Sequence, residues 1–553
     1  MGSAMARFAI VLIQCSAGAG ALHAQAVLHE QSGMFPGEGL GASVALAGDV
    51  NGDGYADVLV GAPDYTLPNQ TIPGRVLVLA GQSGEVLFEL VGAAPGDDLG
   101  RAVAGAGDLN GDGFDDMIVG APGADAAGTN SGLVHVLSGA TGTDLYTVAG
   151  AAPSDGFGSA VASAGDVDGD GVGDLIVGAP AADPHGPSSG SARVLSGGTG
   201  ATLLLITGAT AYERCGASVA GAGDVDLDGH ADLAVGSPNR TVGGAMVGSV
   251  RLVSGATGAT LLTLDGDEAA GDFGFAVAGA GDVDGDGVPD LAVGARLDDG
   301  GAVDAGSVFI HSGATGALLR SFHGDAAGDL FGSAMFGAGD MNADGWPELI
   351  VGAPFDHCEG GNCGATAIFS GADGALLFEY HGEEGQLMGA SVGGGGDLDG
   401  DGLDDIIVGL PFADSQFGAG AGLAREYSAS AWLNLSLGTG GDVLALAHFS
   451  ATGSLQPQQP FTLALSGVAP FAPSVLVVGL SVLNAPFKGA TMVPHPDLVS
   501  AAMPANAAGE LLLGGLWPAG LPADASLTMQ WWSLDPDGGS GFLSSNALQA
   551  DAP

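Results

Sequence analysis

The sequence predicts an all-β protein: a seven-bladed β-propeller over residues 26–430, preceded by a leader over 1–25 and followed by a smaller β-sandwich-like domain over 431–553. Three observations carry this expectation. A ten-residue acidic segment returns seven times at a nearly fixed interval, four short apolar runs fill each interval, and turn residues separate the runs with no helical periodicity between them.

The segment running from Gly48 to Asp57 sets the period. Its first aspartate, Asp49, returns as Asp108, Asp166, Asp224, Asp282, Asp340 and Asp397, at intervals of 57 to 59 residues. Each unit reads in one order. A small-residue strand such as Gly158–Ala162 leads into the acidic loop, and a strand such as Asp174–Gly178 leaves it. After a variable loop come two apolar runs, such as Ser131–Leu137 and Asp144–Val148, joined by a Ser-Gly-Ala-Thr-Gly turn. Four short antiparallel strands make one blade. The seventh unit has its third strand near Leu423–Tyr427 but no fourth, whereas Ala26–Glu30, followed by Pro36–Gly41, aligns with the fourth strands. The N-terminal strand is therefore expected to complete the last blade and close the ring without an open edge.

Composition alone would leave the class open. Of 553 residues, 103 are Gly and 27 are Pro, close to the level of a low-complexity chain, and only the fixed period shows that these residues punctuate strands. Eleven Lys and Arg face 63 Asp and Glu, for a formal charge of -52. A phosphate-binding surface built on many basic contacts, and with it a nucleic-acid partner, is excluded on that balance. The apolar fraction is too high for a solvated acidic chain, so the carboxylates point to divalent cations.

The acidic loops have the alternation that such cations need. The third offers Asp166, Asp168, Asp170 and Asp174 at positions 1, 3, 5 and 9, with Gly171 at the sharp turn and the Val172 carbonyl at position 7. The same register gives Asp49, Asn51, Asp53 and Asp57; Asp108, Asn110, Asp112 and Asp116; and Asp224, Asp226, Asp228 and Asp232. It continues with Asp282, Asp284, Asp286 and Asp290; Asp340, Asn342, Asp344 and Glu348; and Asp397, Asp399, Asp401 and Asp405. All-oxygen ligation favours Ca²⁺ over zinc or copper, up to seven ions in a structural role. Glu348 departs from the pattern in having a longer reach. Asp115 and Asp404, at position 8, read as solvated charges beside the sites. Plain Asp-Gly turns are the bland alternative for one loop, and seven in register argue against it.

With these residues in view, the units resemble FG-GAP repeats, the blades of the integrin α-subunit propeller. The Phe-Gly element stands at Phe157-Gly158, Phe273-Gly274 and Phe331-Gly332 and is varied at Leu40-Gly41, Leu99-Gly100, Cys215-Gly216 and Met388-Gly389. The Gly-Ala-Pro element stands at Gly61, Gly120, Gly178 and Gly352, weakening to Gly236-Ser-Pro238, Gly294-Ala-Arg296 and Gly409-Leu-Pro411. The resemblance implies cation loops on one face of the disc and ligands on the other. That second face would carry loops such as 237–248, 295–306, 207–215 and 265–273, with Tyr65, Tyr212, Arg240, Arg296, Phe355 and Phe412 as exposed contact candidates. Two departures weaken a receptor reading: all seven units carry the loop, and neither a membrane span nor an integrin stalk is recognisable.

The remaining features fit an exported chain. Arg7, the apolar run Phe8–Ile13 and small residues up to Ala24 read as a secretory leader cleaved near Ala24 or Ala26, with a lipoprotein signal at Cys15 as the poorer alternative. No later stretch approaches a membrane span. Cys358 and Cys363 suit a small-loop disulfide, or else two free thiols, and with His357 they are one ligand short of a zinc site; Cys215 occupies a core position. Gly389-Ala-Ser391-Val-Gly393 matches a hydrolase nucleophile elbow, but Ser391 shares the register of Ser43, Ala102, Ala160, Ser218, Ala276 and Ala334, where packing demands a small residue. No histidine recurs at a repeat position, and no catalytic residue is assigned. Trp517, Trp531 and Trp532 read as C-terminal core or as a carbohydrate-stacking patch. The expected function is a secreted, calcium-stabilised binding or adhesion module, not an enzyme, whose protein or glycan partner meets the face opposite the cations. The alternatives are a polysaccharide-active enzyme on the same scaffold and a purely structural cell-surface protein.

Overall fold

The computed structural model describes residues 27–428, apart from positions 64, 68–69, 343, 359–360 and 401 and the side chains over 65–67 and 70–72, and it describes the backbone of separate strands between 433 and 551. The expected leader, Cys15 included, lies outside the described residues.

Residues 27–428 form seven four-stranded antiparallel sheets. The third blade shows the plan, with Ala160–Gly165, Asp174–Ala179, Ser191–Leu195 and Thr202–Thr207 paired in that order. The first strands touch one another in cyclic order around the ring, from Ser43–Gly48 through Ala102–Gly107 to Ser391–Gly396 and back. The expected strands are shifted by two residues at some starts. Gly158 (φ 94°) and Gly132 (φ 86°) hold left-handed turns, so their strands begin at Ala160 and Leu133.

Burial follows the order of strands within a blade. Second strands such as Asp174–Ala179 and Asp116–Ala121 are buried along their whole length, because neighbouring blades cover both faces. Fourth strands such as Val86–Val91 alternate between exposed and half-buried at the rim. The cores lie between blades: Leu59 and Val76 of the first pack with Met117 and Val119 of the second in one cluster.

The Phe-Gly and Gly-Ala-Pro elements are two halves of one joint. In the third blade the Gly158 N–H donates to the Gly178 carbonyl at 3.0 Å. Gly178 in turn receives the next blade so closely that a Cβ on it would lie 2.0 Å from the Gly216 carbonyl oxygen. No side chain fits there, so both glycines are required by inter-blade approach.

The ring closes as expected. Val27–Ser32 pairs antiparallel with Leu423–Tyr427, placing Gln31 opposite Ala424. Glu30 and Arg425 form a salt bridge at 2.9 Å, and His29 meets the buried Glu426 at 2.9 Å. Short hairpins extend the variable loops at Tyr65–Leu67 with Gln70–Ile72, Thr241–Val242 with Ala245–Met246, and His357–Cys358 with Gly361–Asn362. The last is closed by the Cys358–Cys363 disulfide, Cα atoms 5.8 Å apart. Cys215 is a free thiol with no solvent exposure.

The C-terminal segment is also all strand where it is described. Phe542–Asp551, Ser526–Leu534 and Pro473–Gly479 are successive members of a six-stranded sheet, and His448–Gly453, Pro460–Ser466 and Leu511–Leu516 form a second sheet. Trp531 and Trp532 lie on Ser526–Leu534, whereas Trp517 falls outside the described residues. Among the described residues no helix is long and apolar enough to cross a membrane.

Candidate metal centres and the opposite face

Each acidic loop joins the first strand of a blade to the second, and its side chains first organise the loop itself. In the third loop the Asp166 Oδ1 accepts the N–H groups of Gly169 (2.7 Å) and Asp170 (3.1 Å), while its Oδ2 accepts that of Gly171 (2.9 Å). Asp170 Oδ1 accepts the Val172 N–H at 2.9 Å. Gly169 (φ 76°) and Gly171 (φ 88°) supply the left-handed corners. In the fourth loop Leu227, standing where most of the other loops have Gly, takes the first of these corners at φ 60° despite its exposed side chain.

The residue at position 9 is the buried anchor. Asp174 Oδ2 accepts the Val167 N–H (2.8 Å), and its Oδ1 accepts the Gly197 N–H (3.0 Å) from the turn between the third and fourth strands. The same pair of contacts recurs at Asp57, Asp116, Asp232 and Asp290. Glu348 fits this seat too, accepting the Met341 N–H at 2.7 Å, so the longer side chain keeps the role. Burial pushes these carboxyls up, the N–H donors oppose it, and neighbouring loop carboxylates add to it. Asp57 is raised to about 6 and Glu348 to about 8.

Four loops gather three carboxylates around one centre. Oxygens of Asp166, Asp168 and Asp174 lie within 4.8 Å of one another, as do those of Asp224, Asp226 and Asp232, of Asp282, Asp284 and Asp290, and of Asp397, Asp399 and Asp405. Like charges crowded this closely are relieved by a divalent cation, and hard oxygen ligands suit Ca²⁺ or Mg²⁺. Asp170, Asp228 and Asp286 at position 5 stand outside these clusters, and Asp401 lies outside the described residues. In the other three loops the position-3 amide turns to the anchor: Asn51 donates to Asp57 (3.2 Å), Asn110 to Asp116 (3.3 Å) and Asn342 to Glu348 (3.1 Å). Asp49, Asp108 and Asp340 keep the loop-capping role of Asp166, while Asp53, Asp112 and Asp344 repeat the Asp170 turn.

Asp115 and Asp404 are not the solvated charges expected from sequence. Asp115 Oδ2 accepts the backbone N–H of Asp49 at 2.9 Å, and Asp404 Oδ2 accepts that of Asp340 at 3.0 Å. Each ties its own loop to the preceding one, a contact across 64 or 66 residues that no local pattern reveals.

The opposite face has its own chemistry. Asp325, Asp329 and Asp356 of the sixth blade converge within 4.8 Å, with His357 on Asp329 at 3.1 Å. Sequence reasoning missed this group because its members come from separate loops. Of the contact candidates, Tyr212 and Phe412 are well exposed, Phe355 is half-buried, and Arg240 and Arg296 pair with Asp265 (3.6 Å) and Asp272 (3.1 Å). The Tyr65 side chain lies outside the described residues. Ser391 is no nucleophile: its hydroxyl donates to the Gly41 carbonyl at 2.8 Å, sealing the last blade to the first, as Ser43 does to Gly100 at 2.7 Å.

The comparisons agree with this geometry. The FG-GAP repeat profile matches residues 40–79, 99–137, 157–195, 216–253, 273–311 and 331–369, which are six of the seven blades. Integrin alpha-5 of Xenopus laevis is 33% identical over 39% of this chain and 22% of its own length, and integrin alpha-V of Gallus gallus is 34% identical over 36% and 20%. The human phosphatidylinositol-glycan-specific phospholipase D is 28% identical over 63% of this chain and 46% of its own. The chain thus spans about a fifth of the integrins it matches and less than half of the phospholipase. Repeat by repeat, from the paired glycines to the acidic loops, this chain carries an integrin-alpha-like FG-GAP propeller.

Proposed function

We propose that the chain is a secreted, calcium-stabilised propeller acting as an extracellular binding or adhesion module, with its protein or glycan partner held by the loops opposite the acidic ones. One observation carries the reading: an oxygen-only loop recurs in every blade, and in four of them three carboxylates crowd within 4.8 Å. A cation in every blade is a device for holding strands together, so the ions are structural and up to seven are bound. The C-terminal sheets form a separate sandwich-like module.

Melting of the full chain in Ca²⁺ and after exhaustive EDTA treatment tests the proposal. At free Ca²⁺ of a hundred times the dissociation constant, each native-only site contributes about 2.7 kcal/mol, so chelation lowers Tm sharply. An unchanged melting curve overturns it. The similarity to the phospholipase motivates a second, enzymatic reading. Release of a glycolipid-anchored reporter by the purified chain would favour it over binding.

A further inference from the structure

The propeller is poor in positive charge, and the placement of the little it has is informative. Residues 27–428 contain nine arginines and no lysine. Seven arginines spend their guanidinium groups on internal hydrogen bonds: Arg75 on Glu38 and Glu89, Arg193 on the Ala149 carbonyl, Arg251 on the Thr207 carbonyl, and Arg240, Arg296, Arg320 and Arg425 likewise. Arg101 and Arg214 make no side-chain hydrogen bond or salt bridge among the described residues, and both are exposed. These two, together with Arg296, line a single hollow of about 290 Å³.

The hollow lies where the first strands of blades two to five begin and the second strands of blades three to five end, which is the face opposite the acidic loops. It is built from departures from the repeat. The residue after the Phe-Gly glycine is Ala or Ser in five blades, but it is Arg101 in the second and Phe275 in the fifth. The third residue of Gly-Ala-Pro is proline in six blades and Arg296 in the fifth. Arg214 precedes Cys215 at a position held elsewhere by Gly, Asp or Leu. These departures gather on one face, and the two arginines Arg101 and Arg214 serve no internal hydrogen bond there among the described residues, so nothing in the scaffold accounts for them.

We infer that this hollow is a carboxylate-binding site that takes one Asp or Glu side chain of a partner protein. Arg296 is fixed for the task. Its guanidinium stacks on the Phe275 ring at 3.6 Å, and its Nε donates to Asp272 at 3.1 Å. Arg101 acts on the nearby Asp98 only through its charge, and neither it nor Arg214 spends a donor on a hydrogen bond among the described residues, so both planar forks can reach the two oxygens of a carboxylate. Pro180 and Pro238 offer apolar surface to the methylenes of an acidic side chain. Net charge limits the ligand: a chain of -52 repels polyanions at long range, so sulfated or polyuronic glycans are disfavoured, and an isolated acid on a neutral or basic partner is favoured. The one aromatic ring of the hollow has its face covered by Arg296, which disfavours sugar stacking.

This inference rests on the reading of the propeller as a binding module, and it is tested separately from calcium. Saturation-transfer NMR on the full chain would use the peptides Gly-Gly-Glu-Gly-Gly and Gly-Gly-Gln-Gly-Gly, with glucuronate as the sugar acid, in Ca²⁺. The expected result is binding of the Glu peptide, weakened by salt, with little signal from the Gln peptide or from glucuronate. Occupancy should fall at least tenfold in the Arg101→Gln/Arg214→Gln variant while Tm is unchanged. Equal signals from the two peptides, no signal from the Glu peptide at millimolar concentration, preferential binding of glucuronate, or an unaffected variant would overturn the inference. Repeating the titration in EDTA separates the two proposals, because a melting curve indifferent to chelation with peptide binding intact refutes the calcium reading alone.

Discussion

Asp115 of the second acidic loop accepts the backbone N–H of Asp49, the first residue of the first loop, at 2.9 Å, while its own N–H donates to the Asp49 carbonyl at 3.1 Å. Neighbouring loops are thereby latched at both polar groups of one residue. The backbone half of the latch recurs from Ala231 to Asp166 and from Ala56 to Asp397, but the carboxylate half is special to the second and seventh loops.

Replacing Asp115 by Ala removes a charged acceptor and leaves the Asp49 N–H facing solvent at the loop edge. The expected cost is about 1 to 2 kcal/mol, read as a lower urea midpoint at unchanged m-value. Asp404→Ala, which removes the acceptor of the Asp340 N–H, should cost a similar amount.

Positions 3 and 9 of one loop are separable. Asp174→Ala strands the buried N–H groups of Val167 and Gly197, so it should cost about 2 to 4 kcal/mol even in EDTA. The exposed Asp168 takes one long hydrogen bond, from the Asp170 N–H at 3.2 Å. Asp168→Ala should leave stability in EDTA within about 0.5 kcal/mol of the parent and lose part of the gain on adding Ca²⁺. Chemical denaturation of both variants with and without Ca²⁺ checks the pair.

Glu426 of the seventh blade and His381 of the sixth should make stability fall as pH rises. Burial pushes Glu426 up from 4.5 to about 7, with His29 opposing. A carboxyl raised on folding stabilises fully below its unfolded value and loses that contribution as pH climbs through its folded value, here between about 4.5 and 7, for an amount of order 3 kcal/mol. His381, hydrogen-bonded to Asp356 and Glu379, is raised to about 10, so its favourable contribution is complete below 6.5 and fades between there and 10. Glu426→Gln should flatten the first window and His381→Gln the second, in denaturation profiles against pH.

Arg75 is buried between blades, paired with Glu38 and, at 2.9 Å, with Glu89. Glu38 also accepts the N–H groups of Met34 (2.6 Å) and Phe35 (2.9 Å), which fixes the segment entering the first blade. Arg75→Ala leaves an unpaired buried carboxylate and should cost about 3 to 5 kcal/mol, whereas the double variant with Glu38→Gln should recover part of that loss in a thermodynamic cycle.

Seven blades, the closing N-terminal strand and the acidic register were legible in the sequence because each is a local pattern repeated at a fixed period. Gly178 and Gly216 announce themselves seven times over. What stayed hidden arises once, or between distant residues. The latch at Asp115 depends on which residue of the preceding blade lies 66 positions away. The withdrawal of Asp170 from the carboxylate cluster depends on a turn that its own Oδ1 closes two residues on. Arg101, Arg214 and Arg296 are separated by more than 80 residues at each step and become one feature only when the ring brings blades two to five to its axis.

The strand Val27–Ser32 carries a mechanical consequence. Val27 lies opposite Tyr427, so the chain enters and leaves the propeller at the same end of one antiparallel pair. Tension applied to the flanking chain at residues 26 and 429 would load that end alone and peel the two strands apart one hydrogen bond at a time, without shearing the whole pair at once. The His29–Glu426 and Glu30–Arg425 contacts stand near the start of that path. Under load, the last closure of the ring is also its first release.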